Sequence, residues 1–108
     1  MKLSENAIDQ FVEETGLSAE DYSELFEQFK KSRAEQRPTL SLAFSNEDFE
    51  SLKRAGHDLI GVSRTLRLVE FCEVGRLIEK AAIAKDKIEL ETAMKNYFNL
   101  EERLNEAS

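Results

Sequence analysis

Asn46-Glu47-Asp48-Phe49-Glu50-Ser51-Leu52-Lys53-Arg54-Ala55-Gly56-His57-Asp58-Leu59-Ile60-Gly61-Val62-Ser63-Arg64-Thr65-Leu66 sets a periodicity that much of the chain repeats. Its apolar residues recur at three- and four-residue spacing, the signature of an amphipathic helix. On a wheel of 100° per residue, Leu52, Ala55, Leu59, Val62 and Leu66 gather opposite His57. The imidazole therefore faces away from the apolar stripe, on a side it shares with Glu50, Lys53, Arg54, Ile60, Gly61 and Arg64. Gly61 is costly in a helix interior, by roughly 1 kcal/mol relative to alanine. Such a residue is accounted for if something must approach the helix closely beside His57.

Outward from this segment the reading stays helical. Glycine is scarce, Pro38 is the only proline, and no sustained period-two alternation occurs. A first helix is expected over residues 5–14, after Ser4 and before Gly16, with Ala7, Ile8, Phe11 and Val12 apolar. A second starts after Ser18, with Glu20 and Asp21 suited to the positive end of the helix dipole. Its core face is Tyr22, Leu25, Phe26, Phe29, Leu40, Ala43 and Phe44, with a kink or break near Arg37 ahead of Pro38. Ser45 or Asn46 should cap the third helix, which runs to about Leu66. A fourth covers about 69–84 with Phe71, Val74, Leu77, Ile78 and Ala81 inward. The fifth begins near Asp86, whose spacing to Glu89 fits a capping box, and turns Leu90, Ala93, Met94, Tyr97, Leu100 and Leu104 to the core. Short connections make the last three helices antiparallel neighbours. The expected architecture is all-α: one domain over residues 1–108, an antiparallel up-down four-helix bundle with a short additional N-terminal helix.

Composition narrows the function. One cysteine, Cys72, excludes an internal disulfide, and with one histidine the chain lacks a zinc ligand set. Cys72 reads as core packing. No apolar run approaches a bilayer span and no signal-peptide layout opens the chain, so a cytoplasmic protein without membrane contact is expected. The net charge of −7 argues against nucleic acid. Residues 53–67 nevertheless hold Lys53, Arg54, Arg64 and Arg67 against Asp58 alone, net +3, which leaves −10 on the remainder. A cationic patch around one histidine points to a small anionic group or an acidic pocket on a partner.

With these residues in view, the chain resembles the histidine-containing phosphotransfer domain family. The resemblance rests on Ala55-Gly56-His57-Asp58-Leu59-Ile60-Gly61, preceded by Asn46-Glu47-Asp48-Phe49. It continues through Phe71, Cys72, Ile78 and Glu79 at that family's apolar, small and acidic positions of the next helix. The family's signature is His-x-Leu-Lys-Gly within a helix of a four-helix bundle. The resemblance implies that His57 is the phosphoacceptor, that Glu79 orients its imidazole, and that Gly61 gives clearance to a docking receiver domain. Two positions depart from the pattern: Ile60 stands where the family has lysine, and Arg67 where a glycine usually makes the turn. Arg64, Lys53 or Arg54 could supply the missing cation, Arg64 being the candidate for phosphoryl stabilisation. Ile60 could instead widen an apolar docking patch. Lys53, Arg54, Ile60, Gly61 and Arg64 form the expected partner-binding face.

The resemblance further implies a phosphorelay in two-component signal transduction, a relay and not a kinase. His57 would pass a phosphoryl group between aspartates of response-regulator receiver domains, downstream of a hybrid histidine kinase. No metal or cofactor is expected in this chain; the Mg²⁺ would belong to the receiver. A monomer is expected, and the span from Met1 to just past the last helix reads as a free-standing relay, with an excised domain as the alternative. Two other readings stay open: a degenerate, non-phosphorylated or purely structural helical adaptor that binds a partner protein, and a homodimeric bundle sharing the apolar surface of the first helices.

Overall fold

The computed structural model describes residues 5–106 as five helices: α1 (Glu5–Thr15), α2 (Ala19–Ser45), α3 (Phe49–Thr65), α4 (Val69–Ala84) and α5 (Lys87–Glu106). No strand occurs among the described residues. The all-helical expectation holds, with boundaries close to those read from periodicity. Ser4, expected ahead of α1, lies outside the described residues.

Local chemistry accounts for most of the boundaries. Ser18 and Asp21 close a reciprocal capping box at the start of α2, in which the Asp21 N–H donates to Ser18 Oγ at 3.1 Å and the Ser18 N–H to Asp21 Oδ2 at 2.9 Å. The cap of α3 is Asp48, not Ser45 or Asn46: its carboxylate accepts from the Ser51 N–H at 3.1 Å and the Ser51 hydroxyl at 2.7 Å. Ser45 is the last residue of α2, and Asn46 bonds back to its carbonyls. At α5 the Glu89 N–H donates to Asp86 Oδ1 at 3.1 Å, as the Asp86–Glu89 spacing predicts.

Pro38 does not break α2, which is helical on both sides of it. A proline lacks the N–H for its intrahelical bond and crowds the preceding turn, a cost of about 3 kcal/mol. Tertiary contacts offset that cost. Arg37 donates to buried Glu101 on α5 at 3.0 Å and lies over the Phe98 ring at 4.7 Å, while Leu40 and Ala43 are buried one turn further on.

The helices pack around an aromatic spine: Phe11 meets Tyr22 edge-on at 5.1 Å, Phe29 meets Phe71 at 5.2 Å, and Phe71 meets Tyr97 at 6.2 Å. The buried Tyr22 hydroxyl donates to the Leu66 carbonyl at 2.6 Å, tying α2 to the α3–α4 turn. Phe11, Tyr22, Phe26, Phe29, Phe71 and Tyr97 are all core residues, as are the six residues predicted for α5. Arg103 on α5 pairs with Glu70 on α4 at 3.2 Å, a contact between opposite ends of the two helices that an antiparallel pair requires.

Two inward assignments are corrected. Val62 and Leu77 are 44% and 46% exposed. The buried stripe of α3 is Leu52, Gly56, Leu59 and Ser63, rotated toward α4 relative to the stripe of large apolar side chains. Val12 is likewise at the surface. Small residues take two of the four buried positions of α3, and at Gly56 the α4 backbone comes too close for any side chain.

Candidate functional site

The close approach of α3 and α4 is made by two glycines. A Cβ on Gly56 would lie 2.8 Å from both the Gly75 carbonyl oxygen and the Glu79 nitrogen; one on Gly75 would lie 3.0 Å from the Gly56 oxygen. No other residue type fits at Gly56 without moving backbone. Each interior glycine costs helix stability, about 1 kcal/mol. In return the Glu79 backbone sits against the residue that precedes His57.

The consequence is a defined pair. Glu79 Oε2 lies 3.0 Å from His57 Nδ1, while the His57 side chain is 74% exposed. A carboxylate only accepts, so the imidazole donates from Nδ1, which in the neutral ring leaves the lone pair on Nε2. The outward orientation and the His57–Glu79 proximity expected from the sequence are both present.

One turn beyond His57, a Cβ on Gly61 would meet nothing within 4 Å. Packing inside this chain gives no reason for a glycine there, in contrast to Gly56 and Gly75. Ile60 is half-buried, and its Cγ1 lies 3.0 Å from where a Gly75 Cβ would stand. It packs into the α3–α4 crevice while staying partly exposed beside the face of His57.

The cations are distributed unevenly. Lys53 is paired with Glu50 at 3.0 Å, and Arg54 lies near Asp48, whose carboxyl sits below its ordinary range chiefly because Ser51 hydrogen-bonds it. Arg64 is exposed and, among the described residues, forms no ion pair. Arg67 takes the left-handed conformation that a glycine would otherwise supply, at φ 58°. Its guanidinium caps the end of α3, donating to the Arg64 and Thr65 carbonyls at 2.8 and 2.9 Å, and pairs with Glu14 of α1. The departure from glycine is thus structural, a clasp between the α3–α4 turn and α1. Cys72 is buried, as expected.

Sequence reading missed Gly56, Gly75 and Ser63 as packing residues, and the buried Glu101. Gly56 was open to detection, since a glycine inside a strongly periodic helix needs a local reason. Among the described residues no cluster of three or more histidine, cysteine or acidic side chains is placed to hold a metal ion, and no helix is long and apolar enough to cross a membrane.

Comparison with known families agrees with this geometry. The Hpt domain family model matches residues 24–107, a span that holds His57, Gly61 and Glu79 and excludes all of α1. The chain belongs to the Hpt domain family, whose members are helical bundles that serve histidine phosphotransfer in two-component signalling and interact with response-regulator receivers and kinases. Searches of curated proteins and of solved structures found no match.

Proposed function

We propose that this protein is a phosphorelay intermediate in which His57 accepts a phosphoryl group from an aspartyl phosphate on one receiver domain and passes it to the aspartate of another. In this reading α2–α5 form the up-down four-helix bundle that presents the imidazole. The observation that carries it is an exposed imidazole hydrogen-bonded at Nδ1 by Glu79 at 3.0 Å, in a chain of the Hpt domain family.

The chemistry follows from that arrangement. The Nε2 lone pair attacks phosphorus in line with the P–O bond to the aspartyl carboxyl group; the P–N bond forms as the P–O bond breaks, and the carboxylate leaves as an anion. The imidazole becomes cationic, and the Glu79 carboxylate at Nδ1 offsets that charge while fixing the ring's tautomer. Positioning supplies most of the rate, because docking turns an encounter of two proteins into a local displacement. Gly61 provides the clearance for that docking. Arg64, seven residues on and so about 10 Å along the helix, carries the cation that the family's lysine would have brought. Lys53, Arg54 and Ile60 flank the contact. The Mg²⁺ of such transfers belongs to the receiver's acidic pocket. A cytoplasmic monomer fed by a hybrid histidine kinase completes the proposal.

The test is phosphate transfer from a panel of phosphorylated receiver domains, read by intact mass. Wild type should gain one acid-labile phosphate and His57→Gln none. A wild-type chain that stays unlabelled by every donor overturns the relay and leaves the non-phosphorylated adaptor, which predicts indifference to His57→Gln.

A further inference from the structure

Beyond the end of α3 lies a cavity of about 390 Å³ whose walls come from three helices: Asn6 and Gln10 of α1, Arg64 and Arg67 at the end of α3, and Cys72 and Arg76 of α4. Its charge is one-sided. Arg67 is held by Glu14 and by carbonyls of α3, but Arg64 and Arg76 are exposed and form no ion pair among the described residues. Among the described residues that line the cavity, α1 contributes Asn6, Ala7 and Gln10 and no carboxylate; Glu14 stands at its border, paired to Arg67.

The cavity adjoins the His57 face. Glu79 and Arg76 are three residues apart on α4, and therefore neighbours on its surface; Cys72, one turn further, has its Sγ 3.8 Å from the Ile60 carbonyl. A partner centred on His57 reaches Arg76 one turn along and Arg64 within two.

We infer that this cavity is a specificity pocket that receives an acidic side chain of the docked receiver, with Arg76 as its principal contact and α1 as its wall. The inference rests on the phosphorelay reading and adds to it a contact outside the reacting atoms. The occupant follows from the charge and from the exposure of the two arginines. Exposed guanidiniums hold a small free ion weakly, since solvent-exposed pairs contribute at most about 1 kcal/mol. A carboxylate carried in on a docking protein is different, because the interface excludes water around the pair and the surrounding contacts hold it in register. The family model matches residues 24–107, so the α1 wall lies outside the matched span. That makes the pocket suited to choosing between receivers that present the same phosphorylated aspartate.

The receiver that exchanges phosphate fastest with the full chain in a transfer panel is the probe. Its affinity is measured against wild type, Arg76→Glu, Gln10→Glu and Arg76→Lys, each checked for native helicity and thermal midpoint. Arg76→Glu is expected to weaken binding about tenfold at low ionic strength, mainly through a slower association rate, and by a much smaller factor in high salt. Gln10→Glu should weaken it in the same direction, and Arg76→Lys should stay within about threefold of wild type. Unchanged affinity in both glutamate variants overturns the pocket and leaves the phosphorelay intact. A panel in which no receiver exchanges phosphate overturns the phosphorelay, and the pocket with it. Sedimentation of the wild-type chain as a dimer that Arg76→Glu dissociates would make a second copy the occupant, again against the inference.

Discussion

The α3–α4 pair and the α2–α5 flank are joined by contrasting means. Between α3 and α4 the backbones nearly touch, through Gly56 and Gly75, and the side chains at the rim are free to face solvent. Between α2 and α5 the gap is filled by large and charged groups: Phe71 of α4 stands between Phe29 of α2 and Tyr97 of α5, and Arg37 directly reaches Glu101, which is 3% exposed. The first arrangement fixes the relative position of two surface residues to within a hydrogen bond. The second tolerates a proline in the middle of α2. Precision has been placed where His57 meets Glu79, and bulk where the helices need only stay together.

The largest effect should come from the glycine contact. Gly56→Ala puts a Cβ into the Glu79 and Gly75 backbone and should cost about 2–3 kcal/mol in urea unfolding, the upper range for overpacking. It should also displace the Glu79 carboxylate from Nδ1, visible as a changed imidazole nitrogen resonance. Native stability in Gly56→Ala would contradict the packing account.

On the other flank, Arg37→Ala leaves the Glu101 carboxylate buried without its cation. Because Arg37 itself is partly exposed, the loss should be about 2 kcal/mol, below that of a fully buried pair. His57 labelling at a temperature well below the unfolding midpoint should not change. A variant that loses labelling while still folded would show the two regions to be coupled.

Gly61 sharpens the contrast, because it is a helical glycine with empty space around it. Gly61→Ala should stabilise the fold by about 0.5–1 kcal/mol while slowing transfer from a receiver. Gly61→Arg should weaken receiver binding outright, read by titration. A Gly61→Ala variant that is both more stable and equally fast would remove the clearance role.

The smallest effect is in alkali. Burial pushes the Tyr22 and Tyr97 phenols above the ordinary value of 10.0; the Arg67 charge partly opposes this at Tyr22, and the Arg33 charge at Tyr97. Both rings keep their protons in the folded chain at pH values where the unfolded chain releases them. Stability should therefore be unaffected by these groups below pH 10.0 and fall as pH rises above it. Tyr22→Phe and Tyr97→Phe together should flatten that decline in chemical denaturation, and a decline of unchanged slope would contradict the assignment.

Much of this was legible in the sequence where side chains are large. Tyr22, Phe26, Phe29, Phe71 and the six inward residues of α5 announce themselves by spacing. His57 is legible as an outward imidazole for the same reason, by its position opposite the apolar stripe. What periodicity could not reveal is burial of groups with little or no apolar surface. Gly56 and Ser63 carry no hydrophobic signal, so the inner face of α3 reads as rotated toward Val62. Glu101 is not singled out by its sequence, because nothing local indicates that Arg37, 64 residues earlier, arrives beside it. The cap falls at Asp48, two or three residues beyond the expected Asn46 or Ser45, because all three are good caps and tertiary packing carries α2 on through Ser45.

The most direct measurement is transfer of phosphate to the intact chain from a phosphorylated receiver domain, followed by peptide mapping under conditions that preserve phosphohistidine. The account predicts a single acid-labile phosphate on His57, slower to appear in Glu79→Leu and absent in His57→Gln. Phosphate on another residue, or a chain that binds receivers yet never carries phosphate, would contradict it.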